Sequence, residues 1–245
     1  IGVALFTSTV ITSCKKSPVV VIDSLKVGLI AHYQFDKSGS DASGNGNHVT
    51  FGSSMTSTAN RFGKPHTALY FNGVDSYMSV KDKTELRLNN TNASINLWVR
   101  IDGYNSSFGS NLLAKHIAGP DNGWTMGIGG SGGLGLAGNV TFGPGGGSVH
   151  ARGTQFVSLS EWHMLTALYN NVNRTLSIYI DGVLDNVTEN MPSPNAAISS
   201  DLYIGRDDPT ASVNGYFFKG AMDDVRIYKK LLTSKDIRNL YTLTK

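Results

Sequence analysis

The sequence predicts an all-β sandwich, and three observations carry that prediction. The composition disfavours helix: Glu occurs only as Glu85, Glu161 and Glu189, while 28 of the 245 residues are Gly. Gly, Ser, Thr and Asn are weak helix formers and strong turn formers. Second, short runs alternate apolar and polar residues. Ala93, Ile95, Leu97, Val99 and Ile101 fall on one side of such a run, and Ser94, Asn96, Trp98 and Arg100 on the other. A period of two marks a half-buried strand. Third, there is a single late helix signal. Thr233-Ser234-Lys235-Asp236 is a capping box that opens a short C-terminal helix over residues 234–240. About a dozen short strands at regular spacing, followed by one helix, make a sandwich.

The elements follow in order. Residues 29–35 read as the first strand. Residues 68–71 and 77–80 are strands around Asn72-Gly73, and Asn-Gly between two such runs signals a hairpin. The alternating strand 93–101 comes next, with Trp98 on its polar face. Residues 111–116 and 124–128 are further strands. Residues 127–147 are half glycine and read as thin, twisted strands around a loop. The G-x-G-x-x-G at Gly130, Gly132 and Gly135 and the G-x-S-x-G around Ser131 lie in this stretch. Neither opens a helix, as a dinucleotide loop or a nucleophile elbow must. Strands are then expected over 149–159, 162–169, 174–180, 201–205 and 217–228, with a turn at Asp181-Gly182. No repeat or linker interrupts residues 28–245, which form one domain.

Hydrophobic residues make up 40% of the chain, enough for a core. The net charge of +3 and the lack of a basic run exclude a nucleic-acid partner. Residues 1–11 are apolar but too few to span a membrane. They end in Ile11-Thr12-Ser13-Cys14, and Cys14 is the sole cysteine, so no disulfide forms within the chain. A small-residue run before a lone Cys resembles a bacterial lipoprotein lipobox. That resemblance makes residues 1–14 a signal segment, Cys14 a site of acylation and residues 15–27 a tether. It implies a place in the bacterial cell envelope, at the outer membrane and surface-exposed, with membrane contact through the lipid alone.

Residues 36–47 hold carboxylates, amides, a hydroxyl and glycines, and almost nothing apolar. Oxygen donors on a pliable backbone suit Ca²⁺. A metal-free polar turn has the same composition, so both readings stand on the residues alone. An EF-hand does not: with Asp41 at position one, the twelfth position is Gly52 rather than Glu. Catalysis finds little support. Glycoside hydrolysis needs two carboxylates flanking the bond, and the three Glu lie far apart with no Glu-x-Asp-x-x-Glu. There is no His-Glu-x-x-His.

Taken together, LIAHYQFD…DASGNGN, ALYFNGVDSYMSV, SINLWVRI, EWHMLTALY…LSIYIDGVL and LYIGRDD…GAMDDVRIYKKLLTSKDI resemble the laminin-G-like domains of the concanavalin A-like lectin/glucanase superfamily. The resemblance runs from Gly28 to Leu240. It implies a jelly-roll sandwich of two antiparallel sheets, one with a concave face. It also implies a structural Ca²⁺ site where the opening loop meets the last strand, drawing on Asp36, Asp41, Asn45, Asn47 and Asp223, with Asp224 as the alternative to Asp223. Asn72 and Ser76 stand where relatives often carry Asp. The function implied is a non-catalytic, glycan-binding module, with Trp98, Arg100, Tyr104, Trp124 and Tyr179 as ligand-binding candidates. Adhesion to a surface protein, or service as an accessory subunit of a membrane transport complex, is the alternative; a glycoside hydrolase is the last.

Overall fold

A computed structural model describes residues 23–36, 38–104, 109–117, 122–130, 137–143, 150–194, 199–209 and 216–243. Cys14, Ser131 and most of the expected tether lie outside them. The strands in chain order are β1 (Leu29–Tyr33), β2 (Val49–Phe51), β3 (Thr56–Thr58), β4 (Ala68–Asn72), β5 (Met78–Val80), β6 (Ala93–Gly103), β7 (Gly109–Ile117), β8 (Asn122–Gly129), β9 (Val140–Gly143), β10 (Ala151–Arg152), β11 (Trp162–Asn170), β12 (Thr175–Ile180), β13 (Val183–Thr188), β14 (Leu202–Ile204) and β15 (Lys219–Tyr228). Helix α1 (Ser234–Thr242) closes the domain.

The strands form two sheets. The first runs β13-β12-β11-β6-β15-β4-β3, with β1 also on β15; the second runs β10-β9-β8-β7-β14-β5-β2. Pairing between the strands is antiparallel. The inward residues of both sheets build one core. Ile95, Leu97, Val99 and Ile101 of β6 face Trp124, Met126 and Ile128 of β8 across it. Trp124 stacks on Phe142 at 6.2 Å, and its indole N–H donates to the Leu86 carbonyl at 2.9 Å. A buried Trp needs such a partner for its one donor. The architecture is the two-sheet jelly roll with one helix that the sequence implies.

Two expectations from the sequence change. The strands flanking Asn72-Gly73 do not form a hairpin: β4 lies in the first sheet and β5 in the second. Asn72 Oδ1 accepts from the backbone N–H groups of Val74, Asp75 and Ser76, and Gly73 takes φ +76°. The side chain caps a turn that carries the chain between layers. Of the strand expected over 149–159, the described residues form only the short β10 and an isolated parallel bridge from Leu159 to Ile101; residues 153–158 form a loop held by Asp185, which accepts from Thr154 N, Thr154 Oγ1 and Gln155 N.

A third change concerns β15. Asp223 lies opposite Trp98 on β6, yet Arg226 lies opposite Asn96. Two residues of β15 therefore oppose one of β6, a β-bulge with Asp224 at φ +53°. Simple alternation places Asp223 inward beside Val225 and Ile227. The bulge instead gives it the outward face of Trp98.

That outer face is covered. Trp98, Met164, Leu168 and Tyr228 pack against Leu232, Ile237 and Leu240. The capping box of α1 is present: Thr233 Oγ1 accepts from Asp236 N at 3.1 Å and Asp236 Oδ2 from Thr233 N at 3.0 Å. The loop between β3 and β4 adds Arg61. Its guanidinium lies 4.4 Å from the Trp98 ring centre, donates to Asp223 at 3.0 Å and donates to the Leu243 carbonyl at the end of α1. Burial pulls the Arg61 pKa down, while Asp223 and Asp224 pull it up; the net direction is downward. Removing one partner of a buried ion pair strands the other. Arg61→Leu is therefore expected to destabilise the fold by about 3–5 kcal/mol. Arg61→Leu with Asp223→Asn should recover part of the loss in urea denaturation.

Candidate functional site

The opening loop is tied together by one carboxylate. Asp41 is buried, and each of its oxygens accepts two hydrogen bonds. Oδ1 takes His32 N and Ser43 N, both at 2.9 Å; Oδ2 takes Ser43 Oγ at 2.7 Å and Asn47 N at 3.0 Å. Asn45 and Asn47 spend their amide N–H groups on the carbonyls of Leu29 and Ile30. Asp36 is exposed. Asp223 belongs to Arg61, and Asp224 pairs with His32 at 2.7 Å and Arg226 at 3.0 Å. Among the described residues no three His, Cys, Asp or Glu side chains come together as a metal would need. Asn47 Oδ1 is buried without a hydrogen-bond partner among the described residues. As arranged, Asp36, Asp41, Asn45, Asn47 and Asp223 do not fit a calcium shell, because Asp41 already accepts four N–H and O–H donors and Asp223 is paired with Arg61. Burial tends to raise the Asp41 pKa, but the hydrogen bonds from Ser43, Asn47 and His32 outweigh it and hold the group below its ordinary value.

The aromatic and basic residues singled out in the sequence are scattered by the fold. Trp98 stacks on Tyr241 of α1 at 5.5 Å and is 7% exposed. Tyr179 packs at the margin of the same cluster. Trp124 is in the core between the sheets. Arg100 pairs with Asp102 through two hydrogen bonds, at 3.0 and 2.9 Å. Tyr104 donates to the Val157 carbonyl and meets Phe156 edge-on. Trp98, Arg100 and Tyr179 share the outer face of the first sheet, where helix α1 occupies the ground on which Trp98 would have met a ligand, while Trp124 and Tyr104 lie elsewhere.

The outer face of the second sheet is different. Met78 and Ile204 point into the core, so alternation turns Tyr77 and Tyr203 outward. Their rings lie 6.2 Å apart. Arg206, just past β14, places its guanidinium carbon 5.0 Å from the Tyr77 ring centre, 5.9 Å from Tyr203 and 4.8 Å from Phe217. All four side chains are partly exposed. Arg206 Nε donates to the Asp207 carbonyl. Burial first, then nearby Asp208 and Asp201, raise the Tyr203 hydroxyl above its ordinary pKa, so it stays a neutral donor. Asn111 N donates to the Tyr216 carbonyl, which brings β7 alongside Phe217. A side chain at Gly127 would meet Asn111 Oδ1 at 3.1 Å and Thr141 Oγ1 at 3.3 Å. Gly127 thus leaves a floor between an amide and a hydroxyl. Behind this row His116 Nδ1 donates to Asp207 at 3.0 Å, and its Nε2 is buried without a hydrogen-bond partner among the described residues. Aromatic faces beside amide and hydroxyl groups are what a polar, ring-shaped ligand requires. Sequence reasoning missed this cluster because its members come from three separate segments.

The family profile of the concanavalin A-like lectin/glucanases superfamily matches residues 71–238. The chain belongs to that superfamily. Among curated proteins, none matches the sequence. Similar solved structures include domain 4 of AbnA, an extracellular GH43 arabinanase from Geobacillus stearothermophilus, in complex with arabinotriose. It shares 23% identity and a TM-score of 0.67, over 87% of this chain and 98% of that one. The binding domain of Paraclostridial Mosquitocidal Protein 1 shares 15% identity and a TM-score of 0.68 over 89% of this chain. The binding domain of botulinum neurotoxin DC, in complex with SialylT, shares 16% and 0.65, also over 89%. This chain spans about half the length of the two toxin domains, 52% of each. At these identities the likeness shows the fold.

This concanavalin A-like domain carries one further relay, at the loop after β10. His163 Nδ1 donates to Asp181 at 2.7 Å, His163 Nε2 lies 2.8 Å from Ser158 Oγ, and Ser158 Oγ donates to Glu161 at 2.6 Å. Serine, histidine and aspartate in this order have the spacing of a nucleophile triad. The direction differs. The hydrogen bond to Asp181 raises the His163 pKa. Ser158 Oγ donates its hydrogen to Glu161, so that hydrogen is not turned toward His163 as it would be in an activated nucleophile.

Two predictions follow from these geometries. Asp41→Asn removes an acceptor for buried N–H groups and is expected to cost about 1–3 kcal/mol; the midpoint of thermal unfolding should be the same in EDTA and in millimolar Ca²⁺. His163, raised in the fold, contributes stability that is present in full below the ordinary histidine value of 6.5 and is lost as pH rises through the folded value. Amide exchange over residues 154–161 should therefore quicken as pH climbs past neutrality, after correction for intrinsic rates, and His163→Gln should flatten that dependence.

Proposed function

We propose that this domain is a non-catalytic module that binds a glycan on the outer face of its second sheet. The observation that carries the proposal is the cluster of Tyr77, Tyr203, Arg206 and Phe217, partly exposed on the sheet face opposite helix α1. Sugar rings present C–H faces to aromatic rings and hydroxyl rims to amides and arginines, and Asn111 and Thr141 extend the same face. The fold supports this reading, as do similar structures in complex with arabinotriose, for domain 4 of AbnA, and with SialylT, for the binding domain of botulinum neurotoxin DC. A similar domain has also been crystallised with the protein rat synaptotagmin II. A protein partner has its own observation in this chain: edge strand β13 exposes Val183, Leu184 and Val187. We place the glycan first because aromatic, amide and basic groups converge at the second sheet, whereas the exposed side chains of β13, Val183, Leu184 and Val187, are apolar.

The lipobox-like Ile11-Thr12-Ser13-Cys14 supports anchoring the module to a bacterial membrane through lipid on Cys14, where it would serve as the glycan-capturing part of a surface assembly. Metabolic labelling with a palmitate analogue should mark the native protein and fail to mark Cys14→Ser.

A glycan array tests the binding face. Tyr77→Ala and Tyr203→Ala should each weaken binding roughly tenfold or more, as loss of a stacking ring does, with unfolding midpoints held near wild type. Trp98→Ala should destabilise the domain without selectively removing binding. Binding untouched by both tyrosine variants would overturn the assignment.

A further inference from the structure

We infer that the glycan taken by this face carries a carboxylate, and that Arg206 is the residue that selects it. The inference rests on the binding reading above and deepens it. In the run Arg206-Asp207-Asp208 the two acids turn inward and are 4% and 6% exposed, while Arg206 stays at the surface. Asp207 is held by His116 and Asp208 by Ser200 Oγ. The nearest acid toward the β4–β5 turn, Asp75, accepts from Asn72, Ser53 and Ser54. These acids have partners of their own, so Arg206 is left without a carboxylate among the described residues.

The manner in which Arg206 is held decides what it can offer. Three rings, Tyr77, Tyr203 and Phe217, surround the guanidinium at 4.8 to 5.9 Å. Aromatic contact fixes the orientation of the cation and removes part of its water without consuming an N–H. One N–H, on Nε, goes to the Asp207 carbonyl. The Nη edge remains, and two parallel N–H groups on one edge match the two oxygens of a carboxylate. A neutral sugar can offer two hydroxyl oxygens to that fork but no negative charge, so its contact lacks the charge assistance a carboxylate brings. Arg152, exposed on β10 and opposite Thr141 on β9, adds a second positive charge to the same face. An acidic polymer running from Tyr203 across Gly127 toward β10 would meet positive charge at both ends.

The test uses the full-length protein on an array that pairs uronic-acid and sialic-acid glycans with their carboxyl-reduced counterparts. Acidic members should bind roughly tenfold or more tightly than their reduced partners, the scale of one charge-assisted pair, and the gap should shrink with salt. Arg206→Gln should close the gap by weakening the acidic members alone. Arg206→Lys, which keeps the charge and loses the fork, should restore only part of it. Thermal unfolding of each variant shows that the fold survives. Equal binding of acidic and reduced glycans by the native protein, or equal weakening of both by Arg206→Gln, overturns the charge inference and leaves the glycan reading in place. An array with no bound member, or binding that ignores Tyr77→Ala and Tyr203→Ala, overturns both.

Discussion

The bulge in β15 is the constraint on which the arrangement of this domain depends. One half of the strand, through Met222, pairs with β4, and the half from Val225 pairs with β1, while β6 accompanies both. Between them the extra residue turns Asp223 outward and places Asp224 against His32 and Arg226. The result is a patch of charge that has to be neutralised under a covered surface. Arg61 does so, and the same guanidinium reaches the carbonyl end of α1. Buried ion pairs contribute little net stability compared with a well-packed apolar group, but they are intolerant of misplacement. Here they fix where the β3–β4 loop and the helix lie. Sealing the outer side of the first sheet follows from that, and it is the outer side of the second that keeps partly exposed aromatic rings.

Much of this fold was legible in the chain. Alternation identified β6 and β12, and put Trp98 on the polar side of its strand. Thr233 and Asp236 announced the helix start that hydrogen bonding bears out. What could not be read was which strands pair. Asn72-Gly73 has the residues of a hairpin turn, yet it connects two layers, because the partners that hold β4 and β5 come from distant strands. Nor does alternation register a bulge, which inserts one residue and swaps inside for outside beyond it.

The candidate site was harder still. Tyr77 and Tyr203 each precede or follow a core residue by one position, so their outward direction was available in the sequence. Which outer face stays open was not, because that is decided by a helix near residue 237 and a loop near residue 61. Trp98 drew attention as an aromatic on a polar face. A large flat side chain there seats a helix as well as a sugar, and the stack on Tyr241 shows which it does. The opening loop teaches the same lesson for oxygen donors. Asp, Asn and Ser collect around a cation, and they also collect around the unpaired N–H groups of a tight loop. Asp41, filled by four donors, serves the backbone.

Ser24 donates to Asp236 at the start of α1, and Lys230 reaches back to the Ser24 carbonyl. The stretch expected to be a loose leash is therefore stitched to the helix side from Ser24 onward. Ser24 thus lies behind the first sheet, on the far side of the sandwich from Tyr203 and Arg206. Were the module anchored through Cys14 as proposed, its tether would join it from the rear, like the grip of a shield, with the tyrosine-bearing front turned away from the membrane.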